Sequence, residues 1–151
     1  QASQNTFISS TFWTERSGPT AGLATLNEMK KLKSWEIIKK KGSIIKEEWK
    51  EIAKSTNVEM SISGLDSIPK FTILDKHSNA YKTYITQEML KKNILASNMV
   101  FLSTSHSEKI LNTYFSNLKT IFKKMSSTKL NEDIKQNLEN EEAWKTFKRL
   151  N

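Results

Sequence analysis

The clearest pattern in the chain lies in residues 34–57. Trp35, Ile38, Ile45, Trp49 and Ile52 recur at alternating three- and four-residue steps, with Gly42 filling the one gap, so they form an apolar stripe on one helix face. Ser34 is suited to open that helix as an N-cap, Gly42 to bring another segment close, and Asn57 to end it. Upstream, Gly18-Pro19 marks another helix start, and Ala21, Leu23, Ala24, Leu26 and Met29 carry a small, apolar helix over residues 19–33.

Beyond residue 57 the period changes to two. Val58, Met60 and Ile62 alternate with Glu59, Ser61 and Ser63, which predicts a half-buried strand. Residues 64–69 form a turn, 71–74 a second strand and 75–79 a polar turn. Tyr81, Tyr84, Ile85 and Met89 then predict a short helix that stops near Asn93, a residue tolerant of the left-handed cap. Residues 94–102 are apolar and short enough for one or two buried strands. Ser105-x-x-Glu108 is a capping-box pattern that opens a helix carrying Leu111, Tyr114, Phe115, Leu118, Ile121, Phe122 and Met125. The tail, 130–151, is charged and helical in pattern, anchored by Trp144, Phe147 and Leu150.

The expected order is α-α-β-β-α-β-α-α, an α+β domain with a small, mainly antiparallel sheet packed with helices. The first helix has no strand before it to pack on, which points to a chain that begins inside a longer protein.

Composition narrows the chemistry. The chain has 151 residues, enough for one core, with no cysteine and two histidines, His77 and His106, so disulfides and thiolate metal sites are excluded and a zinc site is not expected. Neither a run of about 20 apolar residues nor a signal-peptide pattern occurs, and the expected setting is cytoplasmic, away from membranes. The net charge of +8 invites a nucleic-acid reading. Against it, only Arg16 and Arg149 supply the guanidinium fork that base and phosphate readers favour, and the lysines interleave with glutamates, as in Lys46-Glu47-Glu48 and Lys50-Glu51, like a solvated helix face. No nucleic-acid partner is expected.

A self-contained active site is hard to assemble. His106, the one base near a serine cluster, sits at a helix start among Ser103, Ser105 and Ser107, where capping is the commoner role. His77 falls in a polar turn. Glu47-Glu48, Glu132-Asp133 and Glu141-Glu142 lie in lysine-rich helical segments and read as surface. The four glycines do not make a phosphate loop. Residues 9–19, SSTFWTERSGP, pack hydroxyls, an arginine and two aromatics just before a helix N-terminus. That arrangement suits either an anion, phosphate above all, or simply a capped, partly buried loop.

Three segments carry a resemblance. TFISSTFWTERSGPTAGLATL (residues 6–26), QEMLKKNILASN (87–98) and FLSTSHS (101–107) resemble, in family order, segments of the class-III, fold-type-I aminotransferases that use pyridoxal phosphate (PLP). They are most similar to the glutamate-1-semialdehyde aminomutase-like members, whose signatures read SSTFWTER.GP.A..AT, QEMLERGFLAS and FxSxAHT. The closing FKRL (147–150) resembles the end of these proteins.

The resemblance implies that residues 1–33 are an interface loop and bridging helix, and 34–151 the small C-terminal domain. It implies a homodimer in which Thr11, assisted by Ser10, binds the phosphate of the cofactor held by the other subunit. Arg16 meets the anionic group of a small amino substrate or pairs with Glu15 or another neighbour. Asn98 falls near a place where aminomutases carry an acidic active-site residue. The family's Schiff-base lysine and the aspartate of the pyridine nitrogen lie in a large domain upstream of residue 1. No catalytic residue is therefore assigned in this chain, and no metal. The other reading of the sequence is a stand-alone basic binding or interaction module.

Overall fold

In the computed structural model, residues 15–127 and 134–143 are described, and the chain divides into two compact units, Gln1–Ser34 and Trp35–Asn151. The architecture is α+β. The first unit contributes α1 (Ser17–Leu32). Lys33, at φ +49°, ends it in the left-handed region, with its N–H donating to Lys30 O and Met29 O, after which α2 (Ser34–Thr56) begins. Ser34 is thus the first helical residue rather than a cap, and its buried Oγ finds no hydrogen-bond partner.

In the second unit, β1 (Met60–Ser63) and β2 (Lys70–Ile73) pair antiparallel, with Met60 opposite Ile73 and Ile62 opposite Phe71. Then come α3 (Ser78–Leu90), α4 (Glu108–Met125) and one 3₁₀ turn (Ile134–Asn137). The expected helix stops appear as left-handed asparagines, Asn57 at φ +55° and Asn93 at φ +58°.

The core forms where the three amphipathic helices meet β2. Trp49 of α2 stands edge-on to Phe71 of β2 with centroids 4.8 Å apart, and Phe71 in turn meets Phe122 of α4 at 5.9 Å. The Trp49 Nε1–H donates to the Tyr114 hydroxyl at 3.0 Å, so the one polar edge of the indole is satisfied inside the core. Burial pushes the Tyr114 phenol well above the usual tyrosine range, and that hydrogen bond only partly opposes it.

The apolar stripe of α2 reaches the core only in its second half. Ile45, Trp49 and Ile52 are buried, whereas Ile38 is half-buried and Trp35 is 51% exposed. The division falls at Gly42, which is buried against the backbone of the β1–β2 turn at Asp66. The contact is reinforced by Lys46 Nζ, which bonds Asp66 Oδ1 and Gly64 O, both at 2.8 Å. That hydrogen bond from Lys46, more than its charge, holds the Asp66 carboxyl below the usual carboxylate value despite the opposing effect of burial.

Two expected elements take a different form. Residues 98–102 run antiparallel to β2 without becoming a strand. Phe71 N–H donates to Asn98 O (3.0 Å), Val100 N–H to Pro69 O (3.1 Å) and Leu102 N–H to Ser67 O (3.2 Å), yet the only bridge joins Lys70 and Met99. Pro69 is the reason on one side, because it has no N–H to return to this segment. On the other side the Asn98 side chain, not a backbone amide, donates to Phe71 O at 2.9 Å. The ladder is interrupted at both ends.

The tail departs from the helix expected of it. After the 3₁₀ turn, residues 138–143 form no regular element. They lie along α3, whose polar side chains grip the tail backbone. Gln87 Nε2 donates to Asn137 O (3.1 Å) and Gln87 Oε1 accepts from Glu139 N–H (2.8 Å). Asn79 Nδ2 donates to Ala143 O, and Thr83 Oγ1 accepts from Ala143 N–H at 2.9 Å. These bonds take the backbone groups that a helix would pair internally. The expected anchors Trp144, Phe147 and Leu150 lie outside the described residues. Finally, α4 is capped two residues later than the Ser105 pattern implies. Ser107 Oγ accepts from Ile110 N–H at 3.4 Å.

Candidate functional site

The segment singled out in the sequence ends at the start of α1. Thr11 and Ser10 lie outside the described residues. Arg16 occupies the N-cap position in a right-handed conformation, exposed, with no side-chain cap bond to the helix. Its carbonyl accepts the first helical bond, from Thr20 N–H at 2.9 Å. Glu15 accepts from Ser17 Oγ at 2.5 Å. Pro19 falls within the first turn, where a missing N–H costs nothing because those amides have no helical partner.

The first turn contains no acid, while Lys30 and Lys31 sit in the last turn. The positive end of the helix dipole is left without a compensating carboxylate of its own helix. None of the residues of α1 is buried, and Leu23 (62%) and Leu26 (63%) stand open with Met29 and Leu32.

The other sequence candidates have structural tasks. His106 Nδ1 accepts from Ser103 N–H at 3.0 Å, with Ser103 Oγ 3.3 Å away, and Ser105 N–H donates to that Oγ at 3.3 Å. The histidine closes the loop before α4, and no carboxylate among the described residues orients it as a base. Asn98 is half-buried and occupied with Phe71 O, as above. His77 occupies the N-cap position of α3 and makes no side-chain cap bond. Among the described residues no group of His, Asp and Glu could hold a metal ion, and no helix is long and apolar enough to cross a membrane.

Several lysines of the second unit are held by hydrogen bonds. A nucleophilic lysine requires a depressed pKa. Lys91 moves the opposite way, held far above the ordinary ammonium range by hydrogen bonds to Glu139 and Glu88, both at 2.6 Å. Lys46 is engaged by Asp66, and Lys41 Nζ donates to Thr104 O at 2.7 Å. Glu88 is the hub of the charged surface of α3. Burial raises its carboxyl, but bonds from Lys91 and Gln87 and the charges of Lys91 and Lys124 outweigh that and leave it below the usual glutamate value.

Several concavities open on the second unit, and two of them have distinctive linings. One, of about 360 Å³, is a largely apolar groove lined by Ile37, Ile44, Leu111 and Phe115, with Lys41 and His106 at its margin. The other, of about 350 Å³, is a basic cleft bounded by Lys70 of β2, Lys76 of the following turn, Ser78, Asn79 and Lys82 of α3, and Asn98. Sequence reasoning missed the second. Its one linear signal is the even spacing of Lys70, Lys76 and Lys82, six residues apart across a strand, a turn and a helix.

No protein-family model matches the chain, and no curated protein matches it. Among solved structures, the PLP internal aldimine form of the FumI protein of Sphingopyxis sp. MTA144 superposes with a TM-score of 0.72 at 17% identity, covering 87% of this chain and 31% of that one. The chain shares its fold with part of that protein. At this identity the likeness establishes architecture, and the chain spans about a third of that protein. The two-stranded sheet, its interrupted third member and the flanking helices thus belong to an architecture shared with part of that structure.

Proposed function

We propose that this chain is the C-terminal portion of a PLP-dependent aminotransferase or aminomutase, close to the glutamate-1-semialdehyde aminomutase branch. In this reading it forms the small domain of a homodimeric enzyme that moves an amino group on a small-molecule substrate. The observation that carries the reading is the fold likeness, over 87% of the chain and 31% of the other, to a protein in its PLP internal aldimine form. The order of the three signature segments supports the same reading from the sequence side. The open apolar side of α1, with Leu23 and Leu26 uncovered, is what a helix made to pack against a large domain would present.

The lysine that bonds the cofactor then belongs to the large domain, and this portion alone has no turnover. With PLP and glutamate, the purified chain is expected to yield pyridoxamine phosphate no faster than an equal concentration of free lysine. Faster conversion that depends on one defined lysine of the chain would overturn the assignment.

In the assembled dimer, Thr11 donates a hydrogen bond to the cofactor phosphate across the interface, with Ser10 beside it and Arg16 toward the substrate. A bond of this kind, to a charged group, is worth roughly ten- to a hundredfold in affinity. Thr11→Ala is expected to weaken PLP binding by about that factor, with turnover at saturating PLP changed far less. Thr11→Ser should retain most of the affinity. A Thr11→Ala enzyme that melts lower but titrates with unchanged PLP affinity would leave the hydroxyl a purely local cap.

A further inference from the structure

We infer that the cleft between β2 and the start of α3 is a binding site for the phosphate group of a small ligand. Lys70, Lys76 and Lys82 approach it from three different elements, so the tertiary fold, and no local sequence pattern, gathers their charges. Several lysines elsewhere on the second unit meet carboxylates: Lys46 has Asp66, Lys50 has Glu47, Lys91 has Glu88 and Glu139, and Lys135 has Glu142. The three cleft lysines have no carboxylate partner among the described residues, although Lys70 and Lys82 are half-buried. The acid nearest in sequence, Asp75, directs Oδ1 to His77 N–H at 2.6 Å and so shapes the turn.

Three lysine side chains around one concavity concentrate positive charge there, which a multivalent anion in the cleft offsets. The remaining walls suit one. Ser78 and Asn79 belong to the first turn of α3; Ser78 N–H donates to Asp75 O at 3.0 Å and Asn79 Nδ2 to Ala143 O, so the next amides of that turn are what α3 offers an anion. The lysines are point charges on flexible stems, and the cleft has no arginine fork for a planar carboxylate. That favours the tetrahedral phosphate over a carboxylic acid. Asn98 contributes rigidity, since its amide is fixed on Phe71 O at 2.9 Å.

Inorganic pyrophosphate is the probe, titrated into the ¹⁵N-labelled full chain at moderate salt. Amide shifts are expected to be confined to Lys70, Lys76 and the first turn of α3. Lys70→Gln combined with Lys82→Gln should weaken binding at least about tenfold. Lys39→Gln combined with Lys119→Gln removes the same charge from exposed positions and should change it less than about twofold, as expected of distant, screened charges. Lys76→Glu, at an exposed position where folding is not at stake, should also weaken binding at least about tenfold. Equal losses in the Lys39/Lys119 variant, shifts spread over the lysines of α2 and α4, or citrate bound as tightly as pyrophosphate would each overturn the proposal. Pyrophosphate has no aldehyde or ring, so the result is independent of how the chain relates to PLP.

Discussion

Trp49→Ala is expected to destabilise the second unit by about 3–5 kcal/mol, the range for truncating a fully buried aromatic. The magnitude follows from what the indole joins. It is wholly buried, stands edge-on to Phe71, and is the link through which α2 reaches both β2 and α4. Truncation leaves a cavity bordered by Phe71 and also removes the donor to the Tyr114 hydroxyl, which stays buried without it. Trp49→Phe separates the two effects. It keeps a ring beside Phe71 but loses the N–H and part of the ring volume, so it should cost about 1–3 kcal/mol, shared between an unsatisfied phenol and a small cavity. Adding Tyr114→Phe to Trp49→Phe should recover part of that loss, because both polar partners are then gone. Urea unfolding of the four proteins checks this, and a Trp49→Ala loss below 1 kcal/mol would mean that α2 is not part of the core.

Gly42→Ala is expected to cost about 3 kcal/mol, at the upper end for overpacking. A methyl group there would lie 1.7 Å from Asp66 O and 2.5 Å from Asp66 C. These are backbone atoms of a turn, not the end of a flexible side chain, so relief requires α2 and the turn to separate. Separation would also stretch the bonds from Lys46 to Asp66 and Gly64. Gly22→Ala in α1 is the control, since an added methyl meets nothing within 4 Å there and helix propensity alone should favour alanine by roughly 0.5–1 kcal/mol. Opposite signs for the two substitutions, read from thermal melts, would locate the effect in the contact and not in glycine itself. A neutral Gly42→Ala would show that the turn yields.

Much of this fold could be read along the chain because its helices are strongly patterned. Leu111, Tyr114, Phe115, Leu118, Ile121, Phe122 and Met125 are all buried on one side of α4, as their three- and four-residue steps require. The pair β1–β2 was legible from its alternation, and Asn57 and Asn93 stop their helices in the left-handed conformation that asparagine tolerates. The third strand was not legible, because its failure depends on Pro69, which lies opposite residues 98–102 in the fold and has no N–H to return to them.

The candidate site divides in the same way. The resemblance of residues 6–26 to a cofactor-binding segment is a property of contiguous residues, so it was visible in the sequence, as was the exposed apolar content of α1. Local pattern by itself determined helices α1 to α4, the hairpin and the left-handed stops at Asn57 and Asn93, because helix and strand periods, proline and left-handed asparagine act over a few residues. Which half of the α2 stripe is buried depends on where the turn at Asp66 meets Gly42. The path of residues 138–143 depends on Gln87, Asn79 and Thr83 standing on one side of α3 with their polar groups free to take backbone partners. The basic cleft depends on a strand, a turn and a helix bringing Lys70, Lys76 and Lys82 around one cavity. Those outcomes belong to the tertiary structure, because each rests on the distance between groups far apart in the chain, and short-range periodicity does not encode such distances.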